Sequence, residues 1–92
     1  MISAYEAKKN VKSVRDKICD KLKNNKELFD YIDKKVTSAS NLGWKSTTIN
    51  REHWYTYMDS QVEIEVFLSM LETFGYEYTI TKSTKNLFLY WD

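Results

Sequence analysis

The sequence predicts an α+β domain: a long N-terminal helix, then a strand, a second helix and a C-terminal β-hairpin, with a small antiparallel sheet packed on the helices. Three observations predict it. Apolar residues at Ala7, Val11, Val14, Ile18, Leu22, Phe29, Ile32, Val36 and Ala39 recur at helical spacing and form one stripe, with Asn25 in its middle. There is no proline, and the only two glycines, Gly43 and Gly75, each follow a helix-like stretch. After Gly43 the period changes from helical to alternating, apart from one further helical stretch before Gly75.

Each element carries its own boundary signals. Ser3-Ala4-Tyr5-Glu6 fits a capping box that opens the first helix, and the turn-prone run Ser40, Asn41, Leu42, Gly43 closes it. Asn24-Asn25 is its weak point, because Asn24 with Glu27 can cap a second helix and fold the stretch into a hairpin. The unbroken apolar phase favours a single helix. Residues 44–49, rich in Thr and aromatic character, read as a strand, and 50–59 has no clear period. Ser60-Gln61-Val62-Glu63 is a second capping box, opening a helix that sets Ile64, Phe67, Leu68, Leu71 and Phe74 on one side. Tyr76, Tyr78 and Ile80 then alternate with polar residues, and 87–91 reads as a final strand closing a hairpin through 83–86. Trp44 and Trp91, at strand positions, are expected in the core. The whole chain, 1–92, is one domain, divided into a long helix or helical hairpin over 1–42 and a β-α-β-β unit over 43–92.

Length and charge narrow the function. A continuous helix over 4–40 would span roughly 55 Å, whereas a compact chain of this size has a radius of gyration of about 12 Å. The stripe must then be covered by something outside the domain, which points to a homo-oligomer joined through Val11, Val14, Ile18, Leu22, Asn25 and Phe29. A polar Asn25 within such a seam can set register and subunit number. The 92 residues carry a net charge of +1, but unevenly: ten Lys or Arg against six acids through Lys35, then four against seven. This balance argues against a general nucleic-acid binder and against an acidic DNA mimic.

Catalysis has little to stand on. With one His and one Cys the chain lacks the usual ligands of a zinc site and a nucleophile paired with a base, and two glycines cannot build a phosphate-cradling loop. No enzyme activity, metal or cofactor is expected. Cys19 lies off the stripe as a peripheral thiol and cannot form an internal disulfide, and no leader or 18-residue apolar run is present, so a cytoplasmic protein with no membrane partner is expected.

The most distinctive composition lies at 50–59, where Arg51, His53, Trp54, Tyr55 and Tyr57 gather in one irregular connection. Aromatic and Arg side chains dominate binding hot spots, and the same groups can stack on a base. Two candidate roles follow. One is contact with a protein; the other is a sponge for a nucleotide-derived signal, in which Lys45 and Arg51 meet phosphate while Trp54 or Tyr55 stacks on the base. The alternative is that Trp54 and Tyr57 cover the open end of a small core. Nucleic-acid binding through the Lys-rich helix is a third possibility.

Ile2-Ser3-Ala4 with Glu6-Ala7, the helix ending near Gly43, Gly75-Tyr76 after the second helix, and the closing Tyr90-Trp91 together resemble small accessory proteins of tailed bacteriophages. Those proteins often open with Ile-Ser-Ala-x-Glu-Ala, carry a Gly-Tyr-x-Val element before a hairpin and end in Ile-Ser-Trp. Here Leu89 precedes Tyr90-Trp91, Asp92 follows them, and 50–59 looks like an insertion. The resemblance implies a setting, the host-cell cytoplasm, and a non-enzymatic inhibitor that binds a host or defence protein or sequesters a defence signal.

Overall fold

A computed structural model describes residues 1–91 as an α+β fold. Its elements are α1 (Ala4–Lys23), α2 (Lys26–Asn41), β1 (Ser46–Ile49), two single 3₁₀ turns (Arg51–His53 and Tyr55–Tyr57), α3 (Gln61–Thr73), β2 (Glu77–Ile80) and β3 (Leu87–Tyr90). Both capping boxes close as their spacing predicts: the Glu6 N–H donates to Ser3 Oγ at 3.1 Å and the Glu63 N–H to Ser60 Oγ at 3.2 Å. The glycines end their helices in the left-handed region, at φ 83° for Gly43 and 93° for Gly75. The Trp44 and Tyr76 N–H groups reach back to the carbonyls of Ala39 and Leu71, a closing turn that needs positive φ at the glycine.

The expected single N-terminal helix is two helices. Asn24 ends α1, and Asn25 opens α2, its side-chain oxygen accepting from the Leu28 N–H at 3.2 Å. The cap is thus Asn25 rather than Asn24. Packing gives the reason. The buried residues of α2 are Leu28, Ile32 and Ala39, a line displaced by about 100°, one residue, from the one that buries Leu22 in α1. A continuous helix would turn Leu28 away from the core, so the chain breaks between Leu22 and Leu28 and buries both. The element order is therefore α-α-β-α-β-β.

The sheet has the order β1-β3-β2 with both pairings antiparallel, so the last strand lies in the middle. Opposite pairing sets Ile49 and Ile80 on either side of Leu87, and Thr47 and Tyr78 on either side of Leu89. Leu87 and Leu89 point into the core, where they join Ile49, Trp54, Leu22, Leu28, Ile32, Val66, Phe67, Met70 and Leu71. Phe88 and Tyr90 alternate onto the other sheet face. α2 packs chiefly on β1 and α1 on α3.

The molecule is elongated, 55 × 25 × 22 Å, with a radius of gyration of 15.1 Å against about 12 Å for a compact chain of this length. The excess lies in α1. Residues 1–17 are exposed apart from half-buried Ala7 and Arg15, and only the last turns of the helix reach the core. Among the described residues no helix is long and apolar enough to cross a membrane.

Candidate interaction surface

The aromatic connection at 50–59 turns its ring side chains wholly or partly inward. Trp54 is 1% exposed; its ring stacks on Phe67 at 5.9 Å, and its Nε1–H donates to the Lys85 carbonyl at 2.8 Å. Lys85 holds a left-handed φ of 58° in the β2–β3 link, and next to it Asn86 Oδ1 accepts from the Arg51 N–H at 3.1 Å. These two bonds fasten the connection to the hairpin turn. Trp54 is therefore core, not an exposed stacking surface: an indole this large buries its rings when its N–H finds a carbonyl.

Its neighbours are engaged as well. Tyr55 meets Trp54 edge-on at 5.4 Å and carries the Arg51 guanidinium over its ring at 5.3 Å. His53 stacks on Tyr31 of α2 at 3.9 Å, with Nε2 at 3.9 Å from a Glu52 carboxylate oxygen. The Tyr57 hydroxyl donates to Glu27 of α2 at 3.1 Å, a bond to a carboxylate that, with burial, raises the phenol above its usual range. Lys45 lies apart from this group, exposed before β1, its backbone carbonyl accepting from the Trp91 N–H at 3.0 Å. The connection is thus a clasp from α2 across the core end to the hairpin. Arg51, Glu52 and Thr56 are exposed on its outer side, beside half-buried Tyr55.

The predicted self-association seam divides into two. Leu22 is buried in its own core, Asn25 caps α2, and half-buried Phe29 packs against Phe67 with ring centroids 6.0 Å apart, so none of the three is available as a seam residue. Their removal follows from the break, which turns that part of the stripe inward. Ile18 is half-buried against the same core. Val11 and Val14 are free, at 57% and 53% exposure, on the projecting half of α1.

Where α1 does reach the body, charge accompanies the apolar contact. Lys21 Nζ donates to Asp59 at 2.8 Å and to the buried carboxylate of Glu63 at 2.9 Å, and Arg15 lies 3.7 Å from Glu65. The bonds to Asp59 and Glu63 hold the Lys21 ammonium above its usual pKa of 10.5. Glu63 and Glu65, two apart on α3, thus each meet a cation of α1.

Trp44 and Phe74, both at positions the apolar pattern turns inward, are exposed. Trp44, expected in the core, is 61% exposed, because the turn after Gly43 delays β1 until Ser46 and leaves the indole outside the sheet. Phe74 stands at the mouth of a groove of about 380 Å³ lined by Phe29, Ile32, Met70, Leu71 and Tyr76, with Lys23 and Asp33 at its edge. Helical period puts Phe74 on the inner side of α3, but it is the last residue before the chain turns at Gly75, where the core has ended. Among the described residues no three His, Cys, Asp or Glu side chains gather as metal ligands. Compared with known protein families, curated proteins and solved structures, the chain matches none.

Proposed function

We propose that this chain is a non-enzymatic binding protein that holds another protein through the free half of α1; in the setting the bacteriophage resemblance implies, it inhibits a host or defence protein. One observation carries the reading. An apolar line of half-buried Ala7 and exposed Val11 and Val14 stands on about 14 residues of helix that project from the body. A projecting amphipathic helix with no core beneath it suits protein contact, in which a line of side chains enters a groove or lies along another helix. Recognition then belongs to α1 rather than to the 50–59 connection. The nucleotide-sponge reading loses support, since the ring best suited to stack on a base, Trp54, is buried against Phe67.

Capture from host lysate tests this, with the wild-type chain, Val11→Asp/Val14→Asp and Arg51→Ala/Tyr55→Ala immobilised in parallel. A protein held by the wild type and by the Arg51/Tyr55 variant, but at least about tenfold depleted on the Val11/Val14 variant, supports the reading, because a charge in an apolar contact costs more than an exposed salt bridge returns. Loss on the Arg51/Tyr55 variant alone returns recognition to 50–59. Retention on both variants overturns the proposal.

A further inference from the structure

The charges along α1 define the chemistry of what it binds. At 100° per residue, Ala4, Ala7, Val11, Val14, Ile18 and Leu22 fall along one line. Lys8, Lys12 and Arg15 border it on one side, and Lys17 and Lys21 lie on the other together with Asn10 and Glu6; Lys9, Asp16 and Asp20 fall on the far face. The helix is an apolar strip edged by cations, most densely on the Lys8, Lys12 and Arg15 side.

The inner end of that strip is already docked, and it shows what the strip fits. Leu22 is buried and Ile18 half-buried, while Lys21 meets Asp59 and Glu63, and Arg15 meets Glu65. The surface opposite, the start of α3, is apolar with carboxylates at its border. The outer half of α1 carries Ala7, Val11 and Val14 between Lys8 and Lys12 on one side and Asn10, Lys17 and Glu6 on the other, and Val11 and Val14 are exposed. Resting on the binding role proposed above, we infer that the occupant of this outer half is an amphipathic helix of another protein whose apolar line is edged by Asp or Glu, extending the α1–α3 contact outward. A second copy of α1 suits it less: antiparallel pairing sets the Lys8, Lys12 and Arg15 border of one copy against the same border of the other, and parallel pairing sets Lys8 and Arg15 opposite Ser3 and Asn10, which carry no counter-charge. The contact is also short, about 21 Å along the helix for residues 4–17, so charge complementarity contributes much of its selectivity.

The test uses the full chain and two synthetic helical peptides of three heptads, identical in their Leu and Val line and carrying Glu or Lys at every flanking position. Fluorescence anisotropy is expected to show the Glu peptide binding at least about tenfold more tightly than the Lys peptide, with the gap narrowing as salt rises. Val11→Asp/Val14→Asp abolishes the binding, and Lys8→Glu/Lys12→Glu/Lys17→Glu reverses the preference. The second variant keeps the test decisive if the first unfolds. Equal binding of the two peptides, no binding of either, or no reversal by the charge variant overturns the inference. So does a DNA duplex that binds as tightly as the Glu peptide and ignores the Val11/Val14 variant. If lysate capture still depends on Val11 and Val14 when the peptides fail, the binding role stands and the acidic partner falls; if capture is indifferent to them, the role falls with it.

Discussion

Trp54 shows how a single side chain can organise a segment that has no period. Its rings fill the end of the core against Phe67, and its one polar atom is satisfied by the Lys85 carbonyl, so neither part is left exposed or unpaired. Trp54→Ala is expected to destabilise the fold by about 3–5 kcal/mol, the usual cost of deleting a large buried aromatic, as read from denaturant unfolding. Trp54→Phe keeps part of the ring contact but leaves the Lys85 carbonyl without this donor. Composition alone made this connection the leading recognition candidate while also allowing that it covers a core end. What composition lacks is direction: Trp44 and Trp54 are equally apolar, yet one is exposed and the other buried. The difference lies in the turn after Gly43 and in a carbonyl more than thirty residues away, and neither is local information.

At the level of elements, the caps were legible and the helix break was ambiguous for a physical reason. Ser3 and Ser60 act through N–H groups three residues away, so the sequence contains the whole device. Leu28 and Phe29 are adjacent and both apolar, so the stripe can be followed through Phe29 in one phase or reset through Leu28, and only burial against the body decides. Removing the cap with Asn25→Ala is expected to cost about 1 kcal/mol of stability by thermal or denaturant melting. The two ends of α1 should also differ in dynamics. Amide exchange is expected to be fast over residues 4–14 and slow around Leu22, because opening the outer half exposes no core. Uniform protection along α1 would mean that the outer half is covered in solution. The unbroken stripe and its length together led to the self-association expectation, and the break withdraws the part of it that rested on Leu22, Asn25 and Phe29.

For the molecule as a whole, titration gives a direction that melting curves can check. Lys21, Tyr57 and Tyr78 are all raised: Lys21 by its bonds to Asp59 and Glu63, Tyr57 by its bond to Glu27, and Tyr78 by burial and then Glu72. A raised folded-state pKa contributes stability that is fully present below the unfolded value and lost as pH rises through the folded one. The usual values of these groups are 10.5 for Lys and 10.0 for Tyr, so the melting temperature is expected to fall as pH climbs above about 10. Lys21→Gln should flatten part of that decline. A melting temperature that holds steady to pH 12 would mean that these contacts contribute little to folding.

The position of β3 has a consequence for how the sheet comes into being. Both pairings run through it, so β1 has no neighbour to bond with until Leu87 arrives opposite Ile49, and β2 is in the same position although the hairpin brings β3 close. β1 and β2 are never hydrogen-bonded to each other, and of the two strands only β2 has its partner close by in sequence. The four-residue β3 is thus the one strand whose loss leaves both β1 and β2 without their native neighbour.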